Sequence, residues 1–70
     1  MTIISQNGDK VETDELRVSG HNIVALNAND TNDNITVATY FSPSRAVQIY
    51  CEITSVDWSC KALEYVMPKE

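Results

Sequence analysis

The hydrophobic pattern of this chain changes period between Ile35 and Ala46. Ile35-Thr36-Val37-Ala38-Thr39-Tyr40 is rich in β-branched and aromatic residues, as strands are, whereas Ala46, Ile49, Tyr50 and Ile53 recur at helical spacing. Ser42 can accept hydrogen bonds from the first free amides of a helix, and Pro43 suits the first helical position. The switch therefore predicts a helix from residue 43 to about residue 58.

Upstream, residues 2–5 read as a hairpin arm or edge strand. Asn7-Gly8 follows, a dipeptide that favours a tight turn with positive φ at both central positions. Residues 10–15 are polar and mixed, a connection with some extended character. Residues 16–19 alternate, Gly20-His21 supplies a turn, and residues 22–26 return as a strand. Residues 27–34 consist of Asn, Asp, Ala and Thr, whose polar side chains bond locally to the backbone, which predicts a mobile loop between antiparallel strands. Residues 35–40 form the next strand and residues 63–67 the last, stopped by Pro68. The expected class is α+β: a small, mostly antiparallel sheet of about five strands, element order ββββαβ, with one helix packed on one face, residues 1–70 forming a single domain.

Ile23-Val24-Ala25-Leu26 is apolar throughout, whereas a strand with one wet face alternates. Two readings follow. Either both faces are covered, with Ile23 and Ala25 at an interface in a homo-oligomer, or part of the run is tolerated at the surface.

A domain of 70 residues buries only about 60% of its unfolded surface, so reinforcement matters. Cys51 and Cys60 are poor candidates for a bridge. Were the helix to run through both, they would stand roughly 13 Å apart along its axis, beyond the reach of about 7 Å that a disulfide allows, so both read as reduced, packing thiols. No apolar run approaches a membrane span and the N-terminus lacks a secretory pattern, so the expected location is the cytoplasm, with no membrane partner. Asn29 and Asn34 match the glycosylation pattern but read as turn residues in that setting. The net charge of −5, with five basic residues spread along the chain, argues against direct nucleic-acid binding and is compatible with a basic partner.

Candidate chemistry is sparse. Asp30, Asn32 and Asn34 sit at alternate positions like the start of a calcium loop, but Ile35 stands where the bend needs glycine and Phe41 where a bidentate glutamate belongs. His21 has no nucleophile or orienting group in a recognisable motif, and the cysteines lack metal-ligand spacing. No catalytic residue, metal or cofactor is expected. The helix start is the more physical candidate: free amides with Ser42, Ser44 and Arg45 could hold a phosphate, and Tyr40 could stack on a base, which describes a site for a nucleotide-like ligand. Capping alone also explains Ser42. Trp58, between Asp57 and Ser59, either anchors a partner or folds back to close a small core.

The opening Ile3-Ile4-Ser5-Gln6-Asn7-Gly8, the strand start Asp14-Glu15-Leu16, the passage from Tyr40 to Ala46 with its Arg45-Ala46, and the closing Tyr65-Val66-Met67-Pro68 resemble short uncharacterised proteins of Firmicutes and their phages and prophages. In that group the helix is richer in glutamate and lysine, whereas Val47, Ile49, Cys51 and Thr54 make this one more apolar. The resemblance implies a bacterial or phage setting and no established activity. Small phage proteins of this kind act by binding, so the expected role is an inhibitor of a host defence system that occludes a host protein or sequesters a nucleotide-like signal. The alternative is a housekeeping structural or regulatory interaction module.

Overall fold

In the computed structural model, which describes residues 1–59 and 63–70, β1 (Thr2–Ile4) and β2 (Lys10–Glu12) form an antiparallel hairpin. The turn between them is looser than a two-residue hairpin link. Ser5 N–H donates to Asp9 O (2.8 Å), Gly8 alone adopts positive φ (+89°), and the Ser5 hydroxyl accepts from the amides of Asn7 and Asp9. The first half of the segment expected to be a connection with some extended character, residues 10–12, is thus a strand. Its single apolar residue, Val11, is buried while Lys10 and Glu12 point to water, too short an alternation to read without its partner.

β3 (Glu15–Ser19) and β4 (Asn22–Leu26) pair antiparallel through the Gly20-His21 link, where Gly20 takes φ +60°. Glycine serves there because the hairpin twist needs a left-handed first turn residue. β4 also pairs antiparallel with β5 (Ile35–Thr39), and between Ile23/Val24 the register shifts, leaving Val37 as an extra residue. That bulge explains why the neighbours Val37 and Ala38 are both buried, which a regular strand with one covered face would forbid.

The helix α1 (Pro43–Thr54) follows, then β6 (Tyr65–Val66), which pairs parallel with β1. Among the described residues the fold is α+β as expected, but its six strands make two sheets, ordered β2-β1-β6 and β3-β4-β5, rather than one. A single apolar cluster joins them: Ile3 and Val11 from the first sheet, Leu16, Ile23, Ala25, Val37 and Ala38 from the second, Ala46, Ile49 and Ile53 from α1, and Met67 beyond β6.

α1 stops four residues before the periodicity suggests. Thr54 Oγ1 and Ser55 Oγ donate back to Cys51 O (3.1 and 2.8 Å), and the Trp58 indole donates to Ile53 O (3.0 Å), so side chains satisfy the last carbonyls in place of another turn. Cys51 is an exposed free thiol rather than a packed one, and Cys60 lies outside the described residues.

Residues 27–34 form a loop between antiparallel strands, as expected, but one with internal structure. Ala28 is fully buried, its amide donates to Asp33 O, and Thr31 bonds back to Ala28 O through both amide and hydroxyl. Asn27, Asn29 and Asp30 adopt positive φ, a conformation that Asn and Asp tolerate better than most side chains.

Candidate functional site

The backbone on either side of Phe41 is pinned. Tyr40 N–H donates to His21 O (2.9 Å), and the Tyr40 carbonyl lies 2.6 Å from His21 Nδ1, which must carry the proton because a carbonyl only accepts. On the other side Ser42, in extended backbone, caps α1 by accepting from Arg45 N–H at 3.3 Å, with Pro43 in the first turn. Replacing Ser42 by alanine is expected to lower stability by about 0.5–2 kcal/mol, the usual value of an N-cap. A urea midpoint indistinguishable from the parent's would show that the cap contributes nothing here.

The residues expected to bind a nucleotide-like ligand are engaged within the chain. Arg45 donates from Nε and Nη2 to the main-chain oxygen of Glu70 (3.1 and 2.8 Å) and from Nη1 to Gln48 Oε1 (3.0 Å). Tyr40 is 3% exposed, so its ring offers no free face for a base, and the Arg45 guanidinium stands 6.0 Å from the ring centroid. Ser44 is exposed, and Ser42 is occupied as the cap. A phosphate at this helix start would have to displace the C-terminal segment from Arg45.

The residues expected at an interface are also differently placed. Ile23 and Ala25 are fully buried in the shared core, because the alternation of β4 turns them inward. The reverse face of that strand carries Asn22, Val24 and Leu26, each half-buried, with Arg17 beside Val24 and Glu15 beside Leu26 in the neighbouring strand. Trp58 folds back, packed against the core with its indole nitrogen bonded to the helix end.

Beside α1, burial first and then the nearby Glu52 carboxylate push the Tyr65 phenol up to about 12. Burial likewise raises Tyr40, against a smaller opposing effect of Arg45, and its hydroxyl has no hydrogen-bond partner among the described residues. The folded state favours neutral Tyr65. The stability this contributes is complete below the unfolded value near 10 and is lost as pH rises from there through about 12. An ultraviolet titration should show a tyrosine ionising near 12, and Glu52→Gln should bring that midpoint down without returning it to 10, since burial is the larger cause. A midpoint unchanged by the substitution would contradict this account.

The calcium-like segment borders a polar crevice of about 320 Å³ beside the start of β3, lined in part by Asp14, Glu15, Asp30 and Asn32. Among the described residues no three His, Cys, Asp or Glu side chains group closely enough to hold a metal ion. None of the described helices is long and apolar enough to cross a membrane.

Two residues matter here that sequence reasoning passed over. Phe41 is fully exposed. At its position before the cap, an apolar side chain commonly staples onto the fourth helical residue, here Ala46, which is buried and too small to hold it. Gln6 donates its amide to Val37 O (3.0 Å) while its side chain accepts from Thr39 N–H (2.8 Å) and donates to Thr39 O (3.1 Å), completing the edge of β5 as a strand would. The same side-chain nitrogen lies within bonding distance of the carbonyls of Pro68 and Lys69. The Asn-Gly turn nearby was the visible signal; the pairing role of Gln6 needed the second sheet. In comparisons with family models, curated proteins and solved structures, no match to this chain was found.

Proposed function

We propose that this chain is a non-catalytic binding protein that occludes a protein partner, with Phe41 as the anchor of its contact surface. The observation that carries this reading is a large aromatic side chain wholly in solvent on a backbone pinned on both sides. A rigidly presented aromatic loses little entropy on docking and buries a large apolar area, which is why such residues anchor interfaces. The net charge of −5 favours a basic partner. Sequestration of a nucleotide-like signal is the weaker alternative, because Arg45 and Tyr40 are engaged internally. The setting of a phage or prophage inhibitor of host defence rests on the sequence resemblance.

The test is a capture experiment from bacterial lysate with the parent chain and Phe41→Ala, followed by mass spectrometry of proteins and small molecules. Phe41→Ala should leave stability within about 0.5 kcal/mol, as surface substitutions do, while losing the captured protein, and capture should weaken as salt rises. If both chains capture the same proteins, or only a small molecule, this reading is wrong.

A further inference from the structure

The sheet β3-β4-β5 has two edges, and they are treated differently. Gln6 closes the β5 edge, with its amide on Val37 O and its carboxamide on both main-chain groups of Thr39. β3 lies at the other edge, paired on one side with β4. The turn determines which of its groups face outward. In a two-residue hairpin the flanking pair, here Ser19 and Asn22, exchanges hydrogen bonds, and bonded pairs alternate from there. Ser19, Arg17 and Glu15 therefore point their main-chain groups at β4, and Leu16 and Val18 point theirs away from the sheet.

We propose that two copies of this chain join edge to edge along β3, antiparallel about a two-fold axis at Leu16, with Glu15 of each copy opposite Arg17 of the other. Register and charge together select this pairing. Outward-pointing groups can meet in three symmetric registers, centred on Leu16, Arg17 or Val18. Centring on Arg17 sets guanidinium against guanidinium, and centring on Val18 sets Arg17 against Ser19. Only the Leu16 register sets both exposed charges of each strand against their opposites. Opposite charges across a strand pair attract and like charges repel, so the side chains that blunt this edge toward other strands select one self-pairing. Leu16 is buried and Val18 half-buried on the core side already, so the seam requires no apolar side chain to move outward. In the joined sheet Val24, Arg17, Glu15 of the second copy and its Leu26 lie in one row across the reverse face, following the pairing of Arg17 with Val24 and Glu15 with Leu26. The seam is short, because Val18 there faces Asp14, where the chain bends, and the dimer is accordingly reversible and concentration-dependent.

Sedimentation of the full chain from micromolar to millimolar concentration reads this directly. The parent should pass from monomer to dimer, and Arg17→Glu and Glu15→Arg should each weaken self-association by about tenfold or more, since each turns two attractions into repulsions. Mixing the two single variants should restore a dimer, because each then meets the opposite charge, and the double variant E15R/R17E should self-associate like the parent. Circular dichroism confirms that these exposed substitutions leave the fold intact, and Phe41→Ala should dimerise as the parent does, which separates this inference from the anchor reading. A parent monomeric throughout, or a dimer indifferent to the charge swaps and their mixture, overturns the proposal.

Discussion

Replacing Ile53 by alanine should cost about 2–5 kcal/mol, the range for truncating a large aliphatic side chain in a closed core. Ile53 is fully buried in the cluster shared by both sheets and α1, and the Trp58 indole is bonded to its carbonyl. The last turn of the helix is therefore held from two sides and cannot collapse freely into the space left behind, which places the cost toward the upper part of that range. Stabilities of roughly 0.05–0.15 kcal/mol per residue leave a 70-residue domain little margin, so much of the Ile53→Ala population should be unfolded at ambient temperature. Urea unfolding followed by circular dichroism gives the value. Val47→Ala, exposed on the same helix, serves as the comparison and should shift the midpoint by no more than about 0.5 kcal/mol. A loss below about 1 kcal/mol for Ile53→Ala would mean that the helix is not seated on the sheet as described.

The second large effect is expected at Gln6, a residue with no chemistry to recommend it in the sequence. Its carboxamide is at once the missing neighbour of β5 and a tie to the carbonyls of Pro68 and Lys69. Gln6→Ala leaves the Thr39 amide to water and loosens the C-terminal segment, at a cost of about 0.5–1.5 kcal/mol because these bonds lie near the surface. Gln6→Glu keeps the length but replaces the donor with a carboxylate facing carbonyl oxygens, so it should be at least as damaging at neutral pH. Amide exchange separates this from a general loss of stability. Thr39 should lose protection in Gln6→Ala beyond what the fall in global stability explains. Retained protection at Thr39 would show that the side chain is not part of the ladder.

The candidate site shows how far local reasoning reaches. Ser42 as cap and Pro43 as first helical residue were legible, because both depend on neighbours within one turn. The same local view placed Arg45 and Tyr40 at a candidate ligand site, whereas both are engaged within the chain, for one reason. Arg45 meets Glu70, 25 positions away, and Tyr40 is covered by the packing of the sheets and helix, neither of which leaves a mark in the flanking sequence. Phe41 was visible as an aromatic, but its exposure follows from the smallness of Ala46 and the pinning of Tyr40 by His21 across the sheet.

Read alone, the sequence determined the α+β class, the bounds of β4, the glycine turn before it, the helix start and the loop between antiparallel strands, because each arises from side-chain period, capping or turn chemistry acting over a few residues. Tertiary structure alone decided that β2 is a strand, that there are two sheets rather than one, and that Val37 bulges. It also decided that α1 ends at Thr54 and that Ile23 and Ala25 face inward. Each of these depends on which distant backbone groups and apolar surfaces find one another, and such pairings are selected by the burial of the whole core rather than by any short stretch of it.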